Sequence, residues 1–410
     1  MGKVIALLGA FDTKGEEYAY VKRLIEAKGH RVLTIDTGVL GDPKHIEPDV
    51  GADEVARAGG ASLKAMREAK DRGQAMQVMS QGAALLVRQL YDEGRFSGIL
   101  GMGGTGGSSV ISAAMRNLPV GVPKLLVSTA ASGNTAPYVG TRDVTMMPSI
   151  VDVAGINRIS EIIFARAAGA ICGMVEIDAR PSSESRPLIA ATMFGNTTEC
   201  VDMCREALTK QGYEVLVFHC TGTGGRTMEG LVQDGLIAGV LDITTTEWAD
   251  EICEGAVFSA GPTRLEAAGE VGIPHLIVPG CVDMANYGPI DTIPAKYAGR
   301  KFYEWNPSVT LMRTTPEENE RLGKIFAEKA NKATGPVAFL LPLRGVSILD
   351  SEGQPFWWPE ADRAMFEAIK ANVKPHIRVE EIVANINHPA FAKRAVAMFT
   401  ELIEQSRAEN

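Results

Sequence analysis

The sequence predicts an α/β protein made of two tandem Rossmann-like domains, each an open parallel sheet, related by internal duplication. Three observations carry this. Leu8-Gly-Ala-Phe11-Asp12-Thr13-Lys14-Gly-Glu16 recurs as Ala191-Thr-Met-Phe194-Gly-Asn196-Thr197-Thr-Glu199, and Phe11, Glu16, Gly29 and Val32 meet Phe194, Glu199, Gly212 and Val215 at one offset of 183. Each copy reads as apolar strand, polar turn, helix, glycine and second apolar strand, a β-α-β unit that forces parallel strands and a right-handed crossover. Between the copies, Arg180-Pro-Ser-Ser-Glu-Ser-Arg-Pro187 is a polar, proline-bracketed linker, so the domains are expected at 1–183 and 184–410.

In the first half, the strand Val4 to Leu8 ends in Phe11-Asp12-Thr13-Lys14. Asp12 or Thr13 suits a helix N-cap, while Lys14 at a helix N-terminus opposes the dipole and so favours an anion beside it. The second strand ends in Asp36-Thr37-Gly38, where an acid can accept from ribose hydroxyls or serve as a turn residue. A strand from Phe96 to Leu100 then runs into five glycines within the seven residues 101–107, and a helix is expected from Ser108 to Asn117. Glycines at a strand-to-helix turn let a ligand approach the backbone, where the first helical N–H groups meet negative charge. Gly103, Gly104, Thr105, Gly106, Gly107, Ser108 and Ser109 are therefore expected to cradle phosphate, with Ser128 and Thr129 at the end of the next strand. The loop lacks the Gly-Lys-Ser/Thr of a Walker A motif. It fits G-x-G-x-x-G at Gly101, Gly103 and Gly106, but the strand that follows ends in Ser128-Thr129 instead of an acid, which disfavours NAD. The competing explanation is a glycine-rich turn that only packs a helix tightly on its sheet.

In the second half the duplication continues. Gly98-Ile-Leu100 matches Gly239-Val-Leu241, and Gly121-Val-Pro123 matches Gly272-Ile-Pro274. Ligands of open parallel sheets bind at the carboxyl ends of strands, and there stand Asn196 and Thr197, His219, the turn with Gly224 and Arg226, Thr245 and Thr246, Glu247, Arg344 and Ser347. Arg226 and Arg344 suit carboxylate or phosphate, and His219 or Glu247 suits acid–base work; structural roles compete at each position. A cleft between the two domains is the expected location of a site. Helices are expected at Pro359 to Asn372 and Pro389 to Gln405, and a loop from Asp350 to Trp358 carries adjacent tryptophans.

The chain has 410 residues, 45% of them hydrophobic and 22% charged, ordinary for a globular protein of two or three domains. A net charge of −9 and the absence of any basic run argue against nucleic-acid binding. No apolar stretch reaches membrane-spanning length, and no signal-peptide core opens the chain, so a cytoplasmic location is expected. Six scattered cysteines without C-x-x-C spacing read as buried thiols in a reducing compartment, and no metal site is expected.

The combination Gly-Ala-Phe-Asp-Thr-Lys-Gly-Glu, Gly-Met-Gly-Gly-Thr-Gly-Gly-Ser, Gly-Thr-Gly-Gly-Arg-Thr-Met-Glu and Leu-Asp-Ile-Thr-Thr-Thr-Glu resembles the Tm-one-like ATP-binding domain family. That family includes the N-terminal region of a plant tobamovirus-resistance protein. The resemblance implies two Rossmann-like domains, a homodimer, and ATP with Mg²⁺ in the first domain, at Asp12, Thr13, Lys14 and the loop from Gly103 to Ser109. It also implies a separate TIM-barrel protein similar to phosphoenolpyruvate hydrolase as a partner, because relatives carry such a domain on the same chain. The expected function is nucleotide binding. The alternative is a metabolic enzyme acting on a small carboxylated or phosphorylated compound of sugar-acid type through Arg226, Arg344 and His219 or Glu247.

Overall fold

A computed structural model of the chain describes residues 2–177 and 186–409. Residues 1–182 and 183–410 form two compact units. The expected junction at 183/184, and residues 180–185 of the expected linker, lie outside the described residues.

The first unit runs β1 (Val4–Gly9), α1 (Phe11–Ala27), β2 (Arg31–Asp36), α2 (Ala52–Ala58), α3 (Leu63–Ala69), α4 (Arg72–Asp92), β3 (Gly98–Gly103), α5 (Thr105–Arg116), β4 (Lys124–Ser128), α6 (Ala136–Val139), β5 (Thr145–Pro148) and α7 (Arg158–Glu176). Its five strands are all parallel, in the order β2-β1-β3-β4-β5. The continuous apolar runs of β1, β3 and β4 follow from burial on both faces. Ala6, Leu8, Ile99 and Leu126 pack under α2, α4 and α5 on one face. Ile5, Leu7, Leu100 and Val127 pack under α1 and α7 on the other.

The second unit runs β6 (Leu188–Met193), α8 (Thr198–Lys210), β7 (Glu214–His219), α9 (Thr223–Gln233), β8 (Gly239–Thr244), α10 (Glu247–Ile252), α11 (Ala267–Val271), β9 (His275–Gly280), β10 (Met284–Tyr287), β11 (Phe302–Asn306), β12 (Val309–Arg313), α12 (Pro316–Asn331), β13 (Val337–Pro342), α13 (Pro359–Asn372), β14 (Arg378–Ile382) and α14 (Pro389–Glu409). Its six-stranded parallel sheet has the order β14-β13-β9-β8-β6-β7. Counted from the start of each unit, both sheets place their second strand outside the first and then continue on the other side, as the duplication requires. Val4 pairs with Arg31 and Leu188 with Glu214. The first strand is thus offset by 184 and the second by 183, so the turn after the first strand is one residue shorter in the second unit.

Two features depart from the sequence reading. The glycine-rich stretch is not a free loop: Gly101 and Gly103 end β3, and α5 begins at Thr105, three residues earlier than expected. A three-stranded antiparallel sheet, β10-β12-β11, is inserted after β9 and has no counterpart among the described residues of the first unit.

Candidate functional site

In the first unit the strand order reverses direction between β1 and β3, and the turns after these strands diverge there. Such a switch point is the usual ligand crevice of an open parallel sheet. Tyr18 from α1 closes the floor. Its hydroxyl accepts from Met102 N (2.6 Å) and lies within hydrogen-bond reach of the carbonyls of Leu8 (2.6 Å) and Met102 (2.8 Å). Burial pushes this phenol far above its ordinary pKa. A Cβ on Gly9 would sit 2.0 Å from the same oxygen, so the strand end must be glycine.

Above that floor stands the N-terminus of α5. Its first intrahelical bond is Ser108 N to Gly104 O (2.8 Å). The N–H groups of Thr105, Gly106 and Gly107 have no acceptor among the described residues, as the first turn of a helix leaves them. Gly104 precedes the helix in extended conformation and supplies no side-chain cap. A Cβ on Gly107 would meet nothing within 4 Å; on Gly106 it would lie 3.5 Å from Arg72 Nη2; on Gly104 it would lie 3.9 Å from Thr129 Oγ1 and 4.0 Å from Asp152 Oδ1. Arg72, at the start of α4, is exposed and its guanidinium has no partner among the described residues. Arg72 and Asp152 went unseen in the sequence; an arginine opening a helix carries no local signal of what it faces.

The other expected cofactor residues take varied positions. Ser108 is fully buried and shares a 2.6 Å hydrogen bond with Ser128, whose oxygen accepts from Ala130 N (3.0 Å), so this pair ties α5 to β4. Ser109 is exposed and donates to Thr105 O (3.0 Å). Thr129 is exposed beside Gly104. Asp36 accepts from Phe11 N (2.9 Å) and Gly38 N (2.8 Å), so its carboxylate already occupies the N-terminus of α1. Burial pushes its pKa up. Asp12 accepts from Leu40 N (2.8 Å) and Gly41 N (3.1 Å) and holds the 37–41 turn. Thr13 is exposed, 3.5 Å from Ala10 O. The Lys14 ammonium donates to Val153 O, next to Asp152, which brings it to the rim of the α5 terminus and not onto the glycines.

In the second unit the equivalent crevice is filled by its own side chains. Thr197 and Thr244 share a 2.7 Å hydrogen bond, Thr245 donates to Val278 O (3.2 Å), and Thr246 donates to Met284 O (3.1 Å). Ser347 donates to Asp283 Oδ2 (2.8 Å), and the Asn196 amide lies 3.6 Å from Met284 Sδ. The five expected ligand contacts among these, Asn196, Thr197, Thr245, Thr246 and Ser347, are buried. The segment 384–387 crosses above them: Ala384 O accepts from Arg344 N (3.0 Å), Ile386 N donates to Gly345 O (3.0 Å), and Asn387 donates to Asn196 O (2.9 Å).

Glu247 is bound on both oxygens. Oε1 accepts from Gly222 N (2.8 Å) and Gly225 N (3.0 Å), and Oε2 accepts from Arg264 Nε (2.8 Å). A Cβ on Gly225 would lie 2.1 Å from Oε2, and one on Gly224 would lie 1.9 Å from His219 O. The second glycine-rich turn is therefore explained by packing, with Glu247 as its resident anion. Arg264 is itself buried and grips Asp242 by two 2.6 Å bonds. Burial raises the pKa of Asp242, but Arg264 outweighs it and holds the carboxyl far below the usual range. His219 is exposed and packs on Phe194 (ring centroids 5.3 Å apart), and burial lowers its pKa. Arg226 donates to Ser259 O (2.9 Å), and exposed Arg344 lies 3.9 Å from Glu352. These side chains are not drawn together into one site. Among the described residues no three His, Cys, Asp or Glu side chains are placed to hold a metal ion, and no helix is long and apolar enough to cross a membrane.

Comparison with known proteins agrees on the family and is silent on chemistry. Residues 3–180 match the N-terminal domain, and residues 186–403 the C-terminal domain, of "Uncharacterised protein family (UPF0261)". The chain is 49% identical over 404 residues to a UPF0261 protein of Clostridium tetani, covering 98% of this chain and 99% of that one. It is 44% identical over 404 residues to one of Rhizobium meliloti, with the same coverage. It is also 42% identical over 344 residues to the ToMV resistance protein Tm-1(GCR237) of Solanum lycopersicum, covering 82% of this chain and 45% of that longer protein.

Proposed function

The chain belongs to the UPF0261 family, and on that premise we propose that its first unit binds a phosphorylated ligand, ATP foremost, at the N-terminus of α5. The observation that carries the reading is Gly107. Among the described residues, no atom lies within 4 Å of where its side chain would start and none accepts from its N–H, and its φ is not positive. A glycine in a helix costs up to about 1 kcal/mol relative to alanine, and here no protein atom requires it. A ligand that must touch the backbone does. Free N–H groups at Thr105, Gly106 and Gly107, the dipole of α5 and the unpaired Arg72 guanidinium all favour negative charge at one place. The Thr129 and Ser109 hydroxyls stand at its edge. Glu247 supports the reading by contrast, since the glycine-rich turn after β7 in the second unit carries its own carboxylate.

The rival reading, turnover of a sugar-acid compound through Arg226, Arg344, His219 and Glu247, lacks a gathered set of groups. The test is calorimetric titration with ATP, ADP and inorganic phosphate, with and without Mg²⁺, on the wild type and on Arg72→Ala. Saturable binding weakened at least tenfold by Arg72→Ala is expected, from the loss of one charge-assisted contact of about 1.5–3 kcal/mol. No binding of any of the three at millimolar concentration by the folded protein would overturn the proposal.

A further inference from the structure

The duplication gives the start of α8 a reference point in the first unit. Gly9 pairs with Asp36 at the end of the β1–β2 ladder, and Met193 pairs with His219 at the end of the β6–β7 ladder. Two residues beyond each first strand, Phe11 opens α1, and Gly195 opens a tight turn, 195–197, that runs into α8. In the first unit Phe11 N donates to Asp36 Oδ1 (2.9 Å), so a carboxylate already sits at the helix start. In the second unit His219 stands where Asp36 stands, and the N–H groups of Gly195 and Asn196 meet no acceptor among the described residues. Glu199, in the first turn of α8, is exposed and accepts from neither. Cys200 N, farther along, is met by Asn387 Oδ1 (3.2 Å). Unmet N–H groups at a helix start favour negative charge.

The side chains at this start add independent demands for a guest. Asn196 is 1% exposed, its Nδ2 reaches only Met284 Sδ at 3.6 Å, and its Oδ1 has no donor among the described residues. A buried acceptor left unmet costs about 1–3 kcal/mol, which a hydroxyl from outside the chain recovers. Gly195 is exposed, its φ is not positive, and a Cβ there would meet only Trp305 Cζ2, at an ordinary 3.9 Å. No protein atom therefore requires glycine at this position. Trp305 comes from β11 of the inserted sheet and is 48% exposed beside that glycine. His219 packs on Phe194 (ring centroids 5.3 Å apart), the residue before Gly195, and its ring nitrogens meet no partner among the described residues.

We propose that the start of α8 binds a small carboxylic acid that carries a hydroxyl group. The carboxylate takes the Gly195 and Asn196 N–H groups, as Asp36 takes that of Phe11, and the His219 ring donates to it from the side. The hydroxyl donates to Asn196 Oδ1, and the carbon frame lies against the Trp305 indole. Each part of the ligand answers one unmet feature: the carboxylate the open N–H groups, the hydroxyl the orphaned amide oxygen, the hydrocarbon the exposed aromatic ring. The site belongs wholly to the second unit and is independent of the anion site at α5. It is a binding site, with no reacting group invoked.

The test titrates the full chain with lactate and glycerate, followed by amide NMR and calorimetry, with acetate and inorganic phosphate as comparisons. Saturable binding of a hydroxy acid that shifts the Gly195 and Asn196 amides is expected. Acetate, which lacks the hydroxyl, is expected to bind about tenfold more weakly, the worth of one hydrogen bond. His219→Asp rebuilds the arrangement of the first unit, so the new carboxylate should occupy Gly195 N, weaken lactate binding by about tenfold or more, and raise the Tm. Four results overturn the proposal: no hydroxy acid bound at tens of millimolar, binding that leaves both amides unshifted, acetate or phosphate bound as tightly as lactate, or affinity undiminished in His219→Asp. Should His219→Asp misfold, Gly195→Ala decides, because its methyl stands where the carboxylate would approach. Weakened binding by folded Gly195→Ala supports the site, and unchanged binding refutes it.

Discussion

Replacing Gly107 by alanine separates the two reasons for a glycine at that position, because they predict opposite signs for stability and binding. The new methyl meets nothing within 4 Å, and the residue's φ is not positive. Reduced freedom of the unfolded chain then stabilises the first unit by about 0.4–1 kcal/mol. For a unit spanning residues 1–182 that is a rise in Tm of roughly 1–4 °C. The same methyl stands where a phosphate oxygen would approach the free N–H groups of α5. Losing one hydrogen bond to a charged group costs about 1.5–3 kcal/mol, a roughly 10- to 150-fold weaker Kd. Differential scanning calorimetry and titration with ATP, on the same preparations, read both effects. Gly107→Ala that is more stable and binds ATP as tightly as the wild type would refute the cradle. Gly107→Ala that is less stable would show that the open space over this residue had been misjudged.

Other consequences follow from the same geometry. Gly9→Ala drives a Cβ to 2.0 Å from the Tyr18 hydroxyl and should destabilise the protein by about 1–3 kcal/mol, the usual cost of overpacking, read as a lower midpoint in urea. Glu247→Ala leaves Arg264 short of one carboxylate and the N-terminus of α9 without its anion; a loss of about 3–5 kcal/mol is expected in the urea midpoint of the second unit, with ATP affinity unchanged. Burial pushes Asp250 up to about 7 and Asp283 up to about 6, against hydrogen bonds from Asn286 and the nearby Arg313 respectively. The folded state thus holds protons that the unfolded chain releases near pH 4, so the second unit should lose stability as pH rises from about 4 to 7, and Asp350, pushed up to about 10 by burial, continues the loss above that. Urea midpoints at pH 5, 6, 7 and 8 check this, and a midpoint that climbs across the window would contradict it.

Much of the architecture was legible in the sequence because it rests on short-range signals. Apolar runs bounded by glycine mark buried parallel strands, and the period of Phe391, Ala395, Met398, Phe399 and Leu402 marks one face of α14, all five of which are buried. α13 occupies Pro359–Asn372 as expected. The inserted sheet from Met284 to Arg313 escaped notice, since its strands lack clear alternation and all three are only four or five residues long.

What the chain alone determined is a list of helix N-termini, glycine turns and polar groups at the ends of parallel strands, because each follows from neighbours within one turn of backbone. Which of those termini remains open was decided by folding. Asp36 comes from 25 residues away to fill α1, and Glu247 reaches back across 22 to fill α9, while Arg72 is carried beside Gly106 of α5, whose first N–H groups no carboxylate among the described residues accepts from. Charge acts through space, so no reading along the chain could tell an anion site already occupied by the protein from one awaiting a ligand.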